Sequence, residues 1–189
     1  MKKILAVLLA LFMLALCVAC SKPDESVIAS YTLPSGEVTE VEMKLASNTD
    51  IVQYLLYVPS DWTVKDRSAS TVAYVSEQNK SSVSVAQWNL TSEYTTIDAW
   101  WALALDEYTN TMPDFALVGE QGIARTLDGA EAKEYNYTAR FSGVTYKYCV
   151  IASIDQGSIH VITYTSTEEL FNEAYPIFNE AILGAFKFD

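Results

Sequence analysis

His160 is the only histidine in the 189-residue sequence, so a Ser-His-Asp or Cys-His nucleophilic site would have to be built on it. It lies in an apolar stretch of Ile159, Val161 and Ile162 that reads as a strand. Cys149, in the neighbouring strand, is the one thiol of the folded body that would pair with it. Strand register is not readable from sequence. That pairing therefore stands beside a plainer reading, a packed or hydrogen-bonded histidine and an inert buried thiol. No Gly-x-Ser-x-Gly elbow, phosphate loop, dinucleotide fingerprint, His-Glu-x-x-His or EF-hand loop occurs. A zinc site needs three or four soft ligands, which this chain does not easily assemble. The 24 acidic residues would supply a glycosidase-like carboxylate pair by count alone. They are spread through turns and strand faces, however, as solvated charge is. The residues point to no catalytic site, no metal and no cofactor.

Trp100 and Trp101 are the residues of most interest for recognition. Adjacent positions on a helix point about 100° apart, so both cannot sit centrally in one apolar stripe. Trp101 takes the core. Trp100 is then expected, with Leu103, to form an exposed apolar ridge of the kind that anchors a partner. The competing reading is that a loop or the N-terminal hairpin covers Trp100. The 12 tyrosines lie mostly in strands and are read as cross-strand packing rather than a carbohydrate platform.

The start of the chain supplies an address. Lys2 and Lys3 precede an unbroken apolar run from Ile4 to Ala19, and Val18-Ala19-Cys20 is followed by polar Ser21-Lys22-Pro23-Asp24. The stretch reads as a secretion signal and resembles a bacterial lipoprotein signal, in which the cysteine is lipidated and becomes the new N-terminus. The run is shorter than the roughly 20 residues a spanning helix needs, which favours cleavage over a retained anchor. Three positions before Cys20 stands Cys17, where leucine is usual, with Leu16 one step further back. Cys17 is the poorer acceptor, because Leu16 would fill the small-residue cleavage position. The Cys17–Cys20 spacing matches a redox or zinc motif but falls inside the signal. Residues 1–19 are thus read as signal peptide, Cys20 as the lipidation site, 20–30 as a polar tether and 31–189 as one domain. Such a protein sits on the extracytoplasmic face of a bacterial membrane, held by its fatty acid chains.

Losing Lys2 and Lys3 with the leader takes the formal charge from −12 to −14. That surface repels nucleic acid and anionic headgroups. Solvation explains most of the charge, with a cationic partner or weak divalent-ion binding as the remaining uses. Cys149 alone remains in the body, so no internal disulfide forms, and stability must come from a chain that is half apolar.

The elements that would position these residues follow from periodicity. Tyr31–Leu33, the Pro34-Ser35-Gly36 turn and Val38–Leu45 predict a hairpin, with Val41, Met43 and Leu45 alternating against Glu40, Glu42 and Lys44. Strands follow over 51–58, 71–76 and 82–90. In the last of these Val83, Val85 and Gln87 face one way and Ser84, Ala86 and Trp88 the other. A helix starts at an N-cap Thr96, with Ile97, Trp101, Ala104, Leu105, Tyr108 and Met112 in its inward arc, and ends at Pro113. Short strands over 116–120 and 123–126 lead to a meander of three strands between 132 and 165, with Gly129, Gly143 and Gly157 in its turns. Thr167 caps a closing helical region that Pro176 kinks or breaks, and Phe186-Lys187-Phe188 ends the chain.

That order, together with Tyr57-Val58-Pro59-Ser60-Asp61-Trp62, Tyr164-Thr165-Ser166 running to Phe171, and Phe178, Ile182 and Phe186, resembles the PsbP-like superfamily over residues 51 to 188. The first hairpin is unmatched. The resemblance implies an α+β fold, an α/β/α sandwich around a mainly antiparallel sheet, and a non-catalytic role in binding or assembly. It transfers no functional residue. The expectation is a membrane-anchored extracytoplasmic lipoprotein that binds an envelope protein or ligand. The alternative is a small-molecule or cation-binding lipoprotein serving a transporter.

Overall fold

The computed structural model describes residues 23–67, 70–76 and 78–189. The leader and Cys20 lie outside them. The described chain opens on a hairpin, β1 (Ser26–Thr32) and β2 (Val38–Leu45), paired antiparallel across the Pro34-Ser35-Gly36 turn. β1 corrects the tether boundary, because Ser26–Ser30 pair with Glu40–Lys44 rather than run free. The alternation Val27-Ile28-Ala29-Ser30-Tyr31 places Val27, Ala29 and Tyr31 against the core, a strand period that the polar composition of Ser21–Ser30 obscured. Asp24 is tied to the fold as well: its carbonyl accepts a 2.9 Å hydrogen bond from the Tyr57 hydroxyl.

The apolar run after Asp50 yields only two short strands, β3 (Tyr54–Leu55) and β4 (Tyr57–Pro59). β4 pairs with β2, making a three-stranded sheet β1-β2-β4 separate from the main one. The main sheet is built from β5 (Thr63–Arg67), β6 (Ser70–Tyr74), β7 (Ser82–Asn89), β8 (Ala116–Leu117), β9 (Ile123–Leu127), β10 (Ala130–Phe141), β11 (Val144–Asp155) and β12 (Ser158–Thr167). Its order is β5-β6-β7-β12-β11-β10-β8, with β9 also on β10, and every pairing described is antiparallel. The two-residue turns Asp128-Gly129, Ser142-Gly143 and Gln156-Gly157 have positive φ at both positions, the backbone that matches the twist of the strands they join.

The alternation along β7, β11 and β12 sorts side chains onto two faces. On one face Val83, Val85, Cys149, Ile151, Ile162 and Tyr164 form a core with the first hairpin and the closing helix. That helix, α2, runs as Phe171–Pro176, a π segment Ile177–Ile182 and a last turn Leu183–Ala185. Pro176 therefore neither ends nor splits it. The wider π segment begins at the residue after the proline, whose missing N–H already interrupts the ladder. Thr167 is not its N-cap. That place falls to Leu170, whose N–H donates to the Thr167 hydroxyl. β13 (Lys187–Phe188) then pairs with β3, and Asp128 holds it through the Lys187 ammonium and the Phe188 N–H.

The opposite face carries α1 (Ile97–Thr111). Thr96 caps it as the sequence predicts, accepting from the Ala99 N–H at 3.1 Å, and the Asp98 charge complements the helix dipole. Two helical layers thus flank a mainly antiparallel sheet, the α+β sandwich expected.

Candidate functional site

α1 lies across β10, β11 and β12, where Tyr135, Tyr137, Val150, Ala152, Ile159 and Val161 receive it. Trp101 stacks on Tyr135 with ring centres 4.1 Å apart, and Tyr137 continues the stack onto Tyr148 at 4.6 Å. The stripe expected from periodicity is therefore present. One member is added. Trp100 is only 7% exposed and packs in the same cluster, which corrects the expectation of an exposed Trp100 ridge. A sheet face is flat and wide, so two residues 100° apart on one helix both reach it, where a single partner helix would accept only one. Leu103 does lie outside, at 47% exposure.

The exposed tryptophan is Trp88, at the far end of β7 and also 47% exposed. β7 contributes nothing to the cluster under α1. Its residues on this face, Ser82, Ser84 and Ala86, are small and half-buried, as are their neighbours Thr163 and Thr165 on β12. The helix therefore covers one half of the sheet face and stands as a wall beside the other. Between wall and strand runs a groove of about 420 Å³ lined by Trp88, Tyr94, Trp100, Leu103, Glu107 and Tyr108. A second groove of about 630 Å³ opens on the other side of Trp88, against Ile51, Gln53, Gln87 and Tyr94. Gln53 and Gln87 close on each other there: the Gln87 Nε2 donates to the Gln53 side-chain oxygen at 2.8 Å, and the Gln53 N–H donates to the Gln87 oxygen at 3.1 Å. Trp88 is thus a ridge between two troughs. Sequence reasoning placed its side chain on the right face but did not single it out. The available signal was Ser84-Ala86-Trp88, two small residues and then a large one on a face where a covering helix would have demanded bulk.

The structure separates the two residues a nucleophilic site would need. Cys149 stands opposite Tyr164 while His160 stands opposite Ser153. The two share a face but lie four residues apart along the strands, about 13 Å. Burial pushes the Cys149 thiol up to about 12, with nearby Glu134 adding to the effect, so it is a poor nucleophile at neutral pH. Glu134 is itself only 4% exposed. It is ion-paired to Arg125 through Nε at 2.7 Å and through Nη2, and it accepts from the Asn136 amide at 2.7 Å. Both its oxygens are engaged within the fold. No group of three or more His, Cys, Asp or Glu residues suited to a metal ion occurs among the described residues.

His160 is 1% exposed, packed edge-on against Tyr54 and Phe188, and its Nδ1 has no hydrogen-bond partner. Burial lowers its pKa to about 4, against a small opposing pull from Asp155. The unfolded chain protonates this imidazole near 6.5 and the folded chain near 4. Its contribution is therefore complete above pH 6.5 and is lost as pH falls from 6.5 to 4. The full span is about 3 kcal/mol. Denaturant unfolding of wild type and His160→Phe is expected to show the variant gaining relative stability as pH falls from 7 to 4.5. A constant difference over that range would mean that His160 does not titrate as its burial requires.

No family model matches the sequence, and no curated protein matches it. Solved structures do. PsbP (CyanoP) of the cyanobacterium Synechocystis sp. PCC 6803 is similar with a TM-score of 0.55 at 13% identity, over 92% of this chain and 99% of that one. PA94, a protein of unknown function from Pseudomonas aeruginosa, is similar with a TM-score of 0.53 at 16% identity, over 75% and 94%. LpqN of Mycobacterium tuberculosis, involved in cell envelope biogenesis, is similar with a TM-score of 0.51 at 15% identity, over 87% and 91%. At such identities the likeness is one of fold. The chain has a PsbP-like fold, and the match to PsbP over nearly its whole length takes in more than the 51–188 span that the sequence motifs covered.

Proposed function

We propose that this chain is a lipid-anchored extracytoplasmic module of the cell envelope that binds a protein without catalysis, and that it does so through the Trp88–Leu103 face of α1 and β7. The observation that carries the reading is the half-covered sheet face. Trp88 and Leu103 are both 47% exposed across a groove with an aromatic lining, the kind of surface that marks a binding site when it persists on a folded protein. Aromatic residues beside a trough are also the usual energetic anchors of protein interfaces. The lipoprotein-like signal ending at Cys20 and the envelope role of LpqN support the location. The alternative is a small-molecule or cation-binding lipoprotein serving a transporter; its cation-binding form would need converging acids, and no group of three or more His, Cys, Asp or Glu residues suited to a metal ion occurs among the described residues.

Chemical crosslinking of membranes followed by co-purification tests the reading. Trp88→Ala is expected to remove the main crosslinked species while leaving expression and thermal unfolding nearly unchanged, because a surface substitution moves stability by no more than about 0.5 kcal/mol. An unchanged crosslinking pattern with Trp88→Ala would place the docking surface elsewhere.

A further inference from the structure

The Trp88 grooves lie in a stretch of unusual charge. Between Lys80 and Arg125 the chain has no lysine, arginine or histidine and six acids: Glu93, Asp98, Asp106, Glu107, Asp114 and Glu120. This stretch supplies β7, the loop bearing Tyr94 and all of α1. Asp98 is neutralised by Lys133 at 2.7 Å. Glu107 lines the groove between Leu103 and Tyr108, and Glu93 and Asp106 are exposed nearby in sequence. The floor adds no positive charge, since β6 and β7 carry no ionisable cation and the one histidine of β12 faces the other core. On the described part of β5, Lys65 has its ammonium 5.1 Å from the Tyr74 ring centre, at the far edge of the sheet from α1. An exposed indole with uncompensated carboxylates beside it is the arrangement that holds a side-chain cation, by the ring quadrupole from one side and by ionic attraction from the other. A second copy of this chain, equally acidic, would be repelled from the face, as would an anionic lipid surface.

We propose that the Trp88 groove takes a lysine- or arginine-bearing segment of a partner protein, a cationic side chain lying over the Trp88 indole with Glu107 as its counter-charge and an apolar neighbour seated against Leu103. The inference rests on the docking surface of the preceding subsection and specifies what that surface selects. Glu168 provides the control. It is exposed just beyond the end of β12, whereas Trp88 pairs with Ile159 at the other end of that strand, so the two are about 30 Å apart.

The test uses the lipidated full chain in neutral phosphatidylcholine nanodiscs and a dye-labelled peptide Gly-Arg-Leu-Arg-Ser-Arg-Leu-Arg-Gly, with a glutamate-for-arginine version and empty discs as references. Fluorescence anisotropy should show saturable binding of the arginine peptide and none of the glutamate peptide. Trp88→Ala and Glu107→Lys should each weaken it about tenfold, and Glu168→Lys less than twofold. Equal losses with Glu107→Lys and Glu168→Lys would reduce the effect to net charge and overturn the proposal, as would binding of the glutamate peptide or of neither. The docking surface itself is tested separately by a photocrosslinker at position 103. If that position captures a partner through a neutral or acidic segment, the surface stands and the cationic specificity falls. If it captures nothing and the peptide fails too, both fall.

Discussion

Trp101→Ala should lower the unfolding free energy by about 3–4 kcal/mol, the largest stability loss expected of any substitution in α1. The indole is buried and stacks on Tyr135, with Tyr137 and Tyr108 within 6.4 Å and 6.2 Å of its ring centre. Removing it leaves a cavity bordered by rigid rings that cannot collapse into it. For a domain of this size the midpoint of thermal unfolding should drop by about 10 °C, measured by near-ultraviolet circular dichroism. Trp88→Ala serves as the contrast, expected to lose the partner and keep the fold. Two tryptophans in consecutive elements would thereby separate stability from recognition. Comparable stability losses in both variants would mean that Trp88 is part of the core, in conflict with its exposure.

Cys20→Ala should abolish fatty-acid labelling completely and leave an unprocessed precursor, because the lipid is first attached to the Cys20 sulfur and removal of the leader depends on that step. Cys17→Ala should change neither. Persistent labelling in Cys20→Ala would show that the acceptor is misassigned. Asp24 is already tied to the fold through the Tyr57 hydroxyl, so a lipid on Cys20 would hold the domain within about five residues of the membrane, at most about 18 Å away. A domain held that closely would meet partners in the membrane or just above it.

Much of the fold was legible because its signals are local. The strand period of β7, β11 and β12, the Gly-bearing turns at 129, 143 and 157, and the Thr96 cap each depend on a few neighbouring residues. What was not legible depends on distant ones. Trp100 reads from sequence as either an exposed ridge or a side chain covered by a loop or the first hairpin, because two adjacent residues do not both sit centrally in one helical stripe, and what buries it is the flat face of Tyr135, Val161 and Ile159. Ser26–Ser30 reads as tether because its pairing partner, Glu40–Lys44, is reached only through the turn. Pro176 predicts a kink or a break; the break does not occur, and a π segment, Ile177–Ile182, starts at the next residue. Trp88 was missed for the same reason from the other direction: its exposure follows from where α1 stops, and that edge is a tertiary fact.

We propose the face between α1 and β7 as the place where this protein meets its partner. Photocrosslinking amino acids placed singly at positions 103 and 172, in the chain expressed with its leader in living cells, give the sharpest test. Leu103 faces the Trp88 groove, and Asn172 borders the pocket on the opposite side of the sheet, beside Glu134 and Tyr175. One strong adduct is expected from position 103, lost when Trp88→Ala is added, and none of that size from position 172. An adduct from 172 with none from 103 would contradict it.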